Sequence, residues 1–412
     1  MRRVVVTGLG AITPVGNDVK TMWGNLVEGK HGFGPITRFD LEGYKAGLAA
    51  QVKDFDPLEY IELKEAKRLD LYSQYAIAAA TQAVCDSGIE GNVVSERFDV
   101  CLGSGIGGMT AFENEMEKLI SGGSRKVSPM FIPMMIPNLA AGNIAIRFKA
   151  RGACTAVITA CATGTDAIGT AYRSIKHDYA DAAIAGGAEA VVTRMGVSGF
   201  QNMTALTTSK DPDAASLPFD KRRSGFVIGE GSGAMVLEEY EHAKARGAKI
   251  YAEVVGYGVT CDAHHITAPT PDGASSARAI SEAYKQAGSP EGTIYINAHG
   301  TGTPLNDTAE TAAIKRAFDD KTDNIMVSST KSMTGHMLGA AGAVEGIIAI
   351  MALANKILPP TIGLHDPDPE CDLDYVPNIA REVAPDLTMS VSLGFGGHNS
   401  CVAFAPLKEG KH

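Results

Sequence analysis

The chain has 412 residues, of which 45% are hydrophobic and 20% charged, and its net charge is −10 at pH 7. This composition excludes a disordered chain, and the acidic balance argues against binding to nucleic acid or to an anionic membrane. Seven cysteines without a CxxC pair indicate reduced thiols. No secretory signal or membrane-spanning apolar run is visible in the sequence. From both observations we expect a cytoplasmic protein.

The N-terminal residues 4–14 are predicted to form a strand that ends in a tight turn. They contain Gly8 and Gly10 but lack the third glycine of a dinucleotide-binding fingerprint, and Pro14 interrupts the position where its helix should begin. We therefore favour a core strand over a nucleotide site.

Residues 63–88 follow as one predicted helix with an apolar face. Its early turns carry three cations in an otherwise acidic protein: Lys64, Lys67 and Arg68. The strand predicted at 98–102 leads into the loop 103–108, whose glycines allow the backbone to approach a ligand or another segment closely.

The stretch 154–165 is predicted to hold the reactive centre. Its first half is apolar and β-branched, which is typical of a buried strand, and helical spacing begins after Gly164. Cys161 therefore lies where a strand turns into a helix, as the nucleophile does in a nucleophile elbow. A helix N-terminus favours thiolate over thiol. The alternative is a small buried hydrophobic residue, and this stretch alone leaves both open.

The remaining elements indicate two similar α/β halves. After a strand at 182–187, residues 225–237 predict a glycine-turned hairpin, and the strand–helix–strand pattern begins again from residue 250. It ends on a second glycine-turned hairpin at 391–404. We expect a first half over residues 1–248 and a second half over residues 249–412, packed as one body.

The second half contains two histidines at predicted strand ends, where catalytic residues of α/β proteins are often found. They are His299 and His336. The helix that follows His336 is apolar nearly all round and so is predicted to be buried, and Glu345 within it needs a partner, for which Lys331 is the candidate. Structural histidines and a purely structural ion pair are the alternatives. Two histidines together with the cysteine favour catalysis.

Four motifs of the chain resemble signatures of the elongating β-ketoacyl-acyl-carrier-protein synthases. They are the segments 159–164 around Cys161, 297–303 around His299, 331–336 ending in His336, and the loop 394–399. The match runs from residue 4 to residue 404. Two histidines, where the initiating enzymes have a histidine and an asparagine, resemble the elongating branch.

The resemblance implies a thiolase-like fold, in which two pseudo-symmetric halves form five layers, α-β-α-β-α, and usually a homodimer. It also implies a decarboxylative condensation. Cys161 takes an acyl chain from acyl-carrier protein, and His299 and His336 stabilise the enolate formed from malonyl-carrier protein. Backbone N–H groups of Cys161 and Phe395 form an oxyanion hole, and Lys331 acts with the histidines. No redox, nucleotide or metal cofactor is implied.

The resemblance also assigns supporting roles. Glu345 and Asp307 would hold the catalytic groups in place, and Phe395 would be a gate to an acyl pocket that includes Ile106 and Phe200. Further positions are implied for the carrier and its arm: Thr301 and Thr303 for the pantetheine arm, and Lys64, Lys67, Arg68, Arg125 and Lys126 for docking of the acidic carrier protein. Charge runs are usually only solvated faces, which is the alternative for the docking clusters.

Two departures from the family pattern concern the C-terminal loop. Leu393 stands where some relatives have an aromatic residue, which leaves the pocket shape open, and His398 replaces a threonine and is interpreted as loop support. Two other functions stay open. One is a ketosynthase of a type II polyketide pathway, and the other is a non-catalytic subunit that sets chain length, although such a subunit should lack the nucleophile.

Overall fold

A computed structural model describes residues 1–408, and ten of its strands form one continuous sheet. The first five are β1 (Val4–Ile12), β2 (Phe98–Gly103), β3 (Cys154–Thr155), β4 (Ala182–Glu189) and β5 (Gly231–Glu239). The second five are β6 (Ala252–Cys261), β7 (Ile294–Asn297), β8 (Ile325–Ser328), β9 (Leu387–Gly394) and β10 (His398–Ala405). Shorter strands lie outside this sheet at Gly34–Pro35, Leu48–Ala50, Ile228–Gly229, Ile357–Leu358 and Arg381–Glu382.

The two sets of five strands have the same topology. Across the sheet the order is β3-β2-β4-β5-β1 in the first set and β8-β7-β9-β10-β6 in the second. In each set the first three strands of that order run parallel, and the last two pairings are antiparallel. The sets join where β1 pairs with β6. The predicted duplication is therefore visible in the strand order, while residue 248 as the boundary stays a prediction.

Six helices complete the layers. They are α1 (Leu71–Ser87), α2 (Leu139–Phe148), α3 (Thr163–Lys176), α4 (Ala274–Gln286), α5 (Pro304–Ala317) and α6 (Ala341–Asn355). α1 and α2 cover the first set of strands on one side, and α4 and α5 cover the second set on the other. α3 and α6 pack against each other and against strands of both sets. The result is the predicted α-β-α-β-α arrangement.

Within residues 1–408, seven further helices lie around this frame: Val19–Val27, Leu63–Ala66, Met109–Gly122, Phe131–Met135, Arg194–Asn202, Tyr240–Ala245 and Lys331–Thr334. One continuous helical stretch, Leu338–Asn355, is long and apolar enough to cross a membrane, but 83% of it is buried within the protein. That burial is typical of the core helix of a soluble protein, as the all-round apolar sequence of this segment predicts.

The N-terminal glycines serve packing. A Cβ on Gly10 would come within 2.0 Å of the carbonyl oxygen of Ala79 in α1, and one on Gly258 within 1.9 Å of that of Ala279 in α4. Both halves thus use glycine on the first strand to let a helix backbone lie directly against the sheet. This explains the glycines at the start of the chain without a nucleotide.

Three predicted elements differ in the structure. Residues 63–88 form two helices, because Asp70 accepts a hydrogen bond from the Tyr72 N–H and begins a second helix there. The strand predicted to be buried before Cys161 is only β3, an exposed edge strand. The hairpin predicted at 225–237 is absent, since Ile228–Gly229 pairs with Leu48–Ala50 and not with β5. The second predicted hairpin is present as β9 and β10.

Candidate active site

A cavity of about 420 Å³ opens at the ends of the central strands, with walls that are mostly apolar. Its size is typical of a small-molecule site. Its lining brings together residues that lie far apart in the sequence: Cys161, Phe200, His299, Thr301, Thr303, His336 and Phe395. The cysteine comes from the first half and both histidines come from the second.

Cys161 lies in a tight turn, Ala160–Ala162, directly before α3. Ala160 has a φ of +50°, a left-handed conformation that costs a non-glycine residue energy and that recurs at functional turns. The predicted tight turn into a helix is therefore present, but no regular strand leads directly into it, since β3 ends at Thr155. The Cys161 side chain is buried at 7% exposure, and the backbone N–H of Phe395 is near enough to its sulfur to lower the pKa of the thiol.

The protonation state of Cys161 differs from the expectation. Burial raises the pKa of the Cys161 thiol to about 12, although the Lys331 charge and the Phe395 N–H act in the opposite direction. A helix N-terminus contributes only about 0.3–2 kcal/mol, or roughly one pKa unit, which is less than the effect of complete burial. The thiol is therefore protonated at neutral pH until a reactant or a neighbouring base takes its proton.

His336 is held as a neutral imidazole with a defined tautomer. Its backbone N–H donates to the Val227 carbonyl oxygen at 2.8 Å, and its Nδ1 accepts from the Leu338 N–H at 3.3 Å. This leaves the ring proton on Nε2. Burial and the Lys331 charge lower the pKa of His336 well below its usual value, so the ring is a neutral hydrogen-bond donor.

His299 lies beside it, with ring centroids 5.2 Å apart and planes at 86°. Its Nδ1 is buried without a partner among the described residues. Burial, the Lys331 charge and His336 lower the pKa of His299 well below its usual value. Two neutral imidazoles, and not a charged pair, therefore face the cavity.

The loop that carries His299 is anchored by a carboxylate that sequence reasoning missed. Glu310 accepts from the backbone N–H groups of His299 at 2.6 Å and Gly300 at 2.7 Å. Burial raises the pKa of Glu310 to about 7. A second acid placed three residues after Asp307 on one helical face was the available signal.

Lys331 and Glu345 form the buried ion pair predicted from the sequence, and both side chains are 1% exposed. The second carboxylate oxygen of Glu345 has no protein partner within the described chain. The pair does not line the cavity, but the Lys331 charge reaches it, since it lowers the pKa of both histidines. Lys331 thus adds to the effect of burial, which is the larger cause of the lowered pKa of both rings.

Asp307 organises the threonine loop. Its carboxylate accepts from the backbone N–H groups of Phe219 at 2.9 Å and Gly302 at 3.2 Å. The hydroxyls of Thr301 and Thr303 lie 2.9 Å apart on the cavity wall. Two hydroxyls are therefore presented side by side towards any ligand that passes through the cavity.

Phe200 and Phe395 line this cavity, as predicted for the acyl pocket, but Ile106 does not. The Ile106 side chain is 36% exposed. Its loop is bound to another buried acid that sequence reasoning missed, Glu189, which accepts from the N–H groups of Gly105 and Ile106 and from the Ser104 hydroxyl. Glu189 also accepts from the Gly339 N–H. It therefore joins the Ile106 loop to the turn after His336.

The two basic clusters lie on the surface. Lys64, Lys67 and Arg68 are on and just after the helix Leu63–Ala66, and Arg125 and Lys126 are in the turn Ser124–Lys126. All five side chains are exposed, and none forms an ion pair within residues 1–408. Over the same residues no group of three or more His, Cys, Asp or Glu side chains could hold a metal ion.

Two family models cover most of the chain. The model described as "Beta-ketoacyl synthase, N-terminal domain" matches residues 1–243, and "Beta-ketoacyl synthase, C-terminal domain" matches residues 251–365. A 3-oxoacyl-[acyl-carrier-protein] synthase 2 of Synechocystis sp. is 51% identical, covering 98% of each chain. The protein of the same name from Staphylococcus aureus (strain COL) is 49% identical over the same shares.

Solved structures agree with these matches. A beta-ketoacyl synthase from Burkholderia phymatum has a TM-score of 0.91 at 34% identity, covering 99% of this chain and 100% of its own. The structure of a type II PKS acyl-carrier protein in complex with its ketosynthase has a TM-score of 0.91 at 34% sequence identity, and the match covers 98% of this chain and 100% of that one. The resemblance seen in the four sequence motifs is confirmed, and the chain belongs to the beta-ketoacyl synthase family.

Proposed function

We propose that the chain elongates fatty acids by decarboxylative condensation of an acyl chain with malonyl-acyl-carrier protein. One observation carries this proposal: a single cavity contains a buried thiol and two neutral imidazoles. The reaction needs a nucleophile to hold the acyl chain and uncharged donors to stabilise an enolate. It needs no redox or nucleotide cofactor, because loss of carbon dioxide drives the formation of the carbon–carbon bond.

In the first step the Cys161 sulfur attacks the acyl thioester. A new sulfur–carbon bond forms, the bond to the carrier sulfur breaks, and the thiol proton leaves with the carrier thiol. Because the Cys161 thiol is protonated in the free site, its proton has to pass to the departing carrier sulfur during the attack. Backbone N–H groups of Cys161 and Phe395 would stabilise the negative charge that develops on the acyl oxygen.

In the second step malonyl-carrier protein enters and loses carbon dioxide. The electrons of the broken carbon–carbon bond pass to the thioester, and His299 and His336 would donate hydrogen bonds to its oxygen. The resulting carbanion attacks the acyl carbon on Cys161. A carbon–carbon bond forms as the bond from that carbon to the Cys161 sulfur breaks, the 3-oxoacyl product leaves on the carrier, and the cysteine sulfur takes a proton from solvent. Thr301 and Thr303 are suited to bind the amides of the pantetheine arm.

The identities favour fatty-acid elongation over a polyketide pathway. Two full-length relatives named 3-oxoacyl-[acyl-carrier-protein] synthase 2 are 51% and 49% identical, whereas the ishigamide ketosynthase/chain length factor is 37% identical. The non-catalytic alternative is disfavoured because Cys161 is present in an elbow turn.

The proposed partner is acyl-carrier protein, which is part of the name of the Synechocystis relative, 3-oxoacyl-[acyl-carrier-protein] synthase 2. Such carriers are acidic, and this chain is acidic too, so association requires local positive charge. The two exposed basic clusters provide it. Their side chains are free of ion pairs within the described chain and so are available to carrier carboxylates.

We further propose a cytoplasmic homodimer. β3 is an exposed edge strand at one end of the sheet, and exposed apolar side chains lie close to it in the chain, including Ile146 at 78% and Ile158 at 50%. An exposed strand edge flanked by apolar residues is suited to pairing with a second copy. Sedimentation of the purified protein at twice the monomer mass would support this, and a monomer at micromolar concentration would contradict it.

The function is tested by incubating the purified protein with malonyl-carrier protein and acyl-carrier proteins of graded chain length. We expect 3-oxoacyl-carrier protein with two added carbons, and one carbon dioxide for each product, measured by mass spectrometry and trapped radiolabel. The absence of product at every chain length would overturn the proposal. A preference for polyketone products made only with a second subunit would favour the polyketide alternative.

A further inference from the structure

We propose that Tyr257, Asp166 and Thr159 form a hydrogen-bonded chain that positions the Cys161 turn for acyl transfer. None of the three lines the cavity, so they act through Cys161 and not on the substrate. The inference rests on the proposed function, because it assigns these residues to the first of its two chemical steps.

The chain crosses between the two halves of the molecule. Tyr257 lies on β6 of the second half, and its hydroxyl donates to Asp166 Oδ1 at 2.7 Å. Asp166 lies in the first turn of α3, is 3% exposed, and accepts at Oδ2 from the Thr159 hydroxyl at 2.6 Å. Both oxygens of a buried carboxylate are therefore used, one by each half.

Tyr257 is held in place independently of this hydrogen bond. Its ring lies against α3 at Gly169, where a Cβ would come within 2.2 Å of the ring carbons. The Arg173 guanidinium lies 4.4 Å from the ring centroid. Burial and the Asp166 charge raise the pKa of Tyr257, so its hydroxyl stays protonated and donates. The tyrosine is thus a fixed point against which Asp166 is oriented.

Thr159 transmits that position to the nucleophile. Its N–H donates to Thr163 Oγ1 at 2.9 Å, and its carbonyl oxygen accepts from the Ala162 N–H at 3.0 Å. Together with its hydroxyl bond to Asp166, these contacts fix the residue directly before the left-handed Ala160. The conformation of Ala160 is costly, so it requires restraint from both sides.

The same residue borders the loop that supplies the second oxyanion donor. A Cβ on Gly394 would lie 2.5 Å from the Thr159 carbonyl oxygen and 3.3 Å from the Cys161 nitrogen. Gly394 directly precedes Phe395, whose N–H is near enough to the Cys161 sulfur to lower the pKa of the thiol. The position of Thr159 therefore determines the distance between the backbone N–H groups of Cys161 and Phe395. Since oxyanion donors act only within a narrow distance range, a small shift weakens acyl transfer.

The test compares two half-reactions in single variants. In Thr159→Val the hydroxyl is replaced by a methyl group of similar size, and Tyr257→Phe removes one hydroxyl. We expect both to slow acylation of Cys161 by about tenfold, while release of carbon dioxide from malonyl-carrier protein without an acyl donor stays within about twofold. Thr159→Ser keeps the hydroxyl, so this variant should be acylated at nearly the wild-type rate.

Tyr251→Phe is the matched control. Tyr251 also donates its hydroxyl to an aspartate, Asp86, at 2.7 Å, but that pair lies away from the cavity, and both half-reactions should be unchanged. Wild-type acylation by Thr159→Val, or equal losses in acylation and decarboxylation, would overturn the positioning role. If the wild-type protein itself performs neither half-reaction, the proposed function fails and this inference fails with it.

Discussion

The two halves of the molecule contain the same turn, and only the turn of the first half contains a cysteine. Ala160–Ala162 precedes α3 and Leu338–Ala340 precedes α6, and in each the first residue is a non-glycine with positive φ, at +50° and +48°. The two helices then pack against each other through the glycines Gly164 and Gly342. The local backbone is therefore duplicated along with the strand order.

What differs is the middle residue of the turn. The first half has Cys161, with its sulfur in the cavity, and the second half has Gly339, where a Cβ would come within 2.4 Å of the Gly105 nitrogen. The second turn instead fixes His336, through the Leu338 N–H. In the proposed mechanism one turn holds the reacting sulfur and the other orients a hydrogen-bond donor, so the two halves share a backbone frame and single residues give them different roles.

The largest loss of activity is expected when the Cys161 sulfur, which only the first of the two turns contains, is removed. Cys161→Ala should lower acyl transfer by at least roughly a thousandfold while the fold stays intact, because the change is small and local. The measurement is radiolabelled acyl chain on the protein. Cys154→Ala, which removes an exposed thiol on β3, should label normally. Label on the Cys161 variant would remove this residue from the mechanism.

A smaller loss is expected when the second turn loses its donor. His336→Ala should still be acylated on Cys161 but should condense roughly 10²–10³-fold more slowly, which is the usual cost of removing one transition-state donor. Single-turnover acylation and product formation measure the two steps separately. His177→Ala, an exposed histidine after α3, is the control. Condensation near the wild-type rate would rule out this role.

The loop between β9 and β10 allows a finer test of access to the first turn. Phe395→Ala should change acylation rates by about tenfold and in a chain-length-dependent manner, because a ring beside the sulfur must move before a long chain enters. Its free energy of unfolding should fall by only about 1 kcal/mol, since the ring is half-buried. Phe39→Ala, also half-buried but outside the cavity, should lose stability without a change in chain preference. Unaltered rates across all chain lengths would make Phe395 a packing residue.

The smallest effect concerns the surface. Reversing Lys67, Arg68 and Lys126 to glutamate should raise the apparent KM for carrier-bound substrates by several-fold to about tenfold, with little effect on a short pantetheine thioester. Added salt should reduce the difference, because the effect acts through association. A second triple reversal controls for net charge: Lys20, Lys285 and Lys321. Equal losses with the carrier-free thioester would place docking elsewhere.

Much of the site could be predicted because short-range patterns determine it. A cysteine between an apolar run and a helix, histidines after strands, and a glutamate in an apolar helix each have a local signature. The Lys331–Glu345 ion pair could be predicted because an unpaired charge is costly to bury, and Glu345 lies in an apolar helix. The predictions that differed depend on distant contacts. The pairing of Ile228–Gly229 with Leu48–Ala50, which replaces the predicted hairpin at 225–237, is one.

The sequence by itself predicted the fold class, from its repeated pattern of strands and helices and its family motifs, and it singled out the candidate cysteine and the two candidate histidines, because each of these lies in a motif of residues adjacent in the chain. Only the tertiary structure decided their protonation states, because burial and the Lys331 charge act through space: the thiol is protonated and both imidazoles are neutral. It also decided which carboxylates hold the site. Glu189, Glu310 and Asp166 bind backbone or hydroxyl groups of other segments, and no local pattern encodes those long-range contacts.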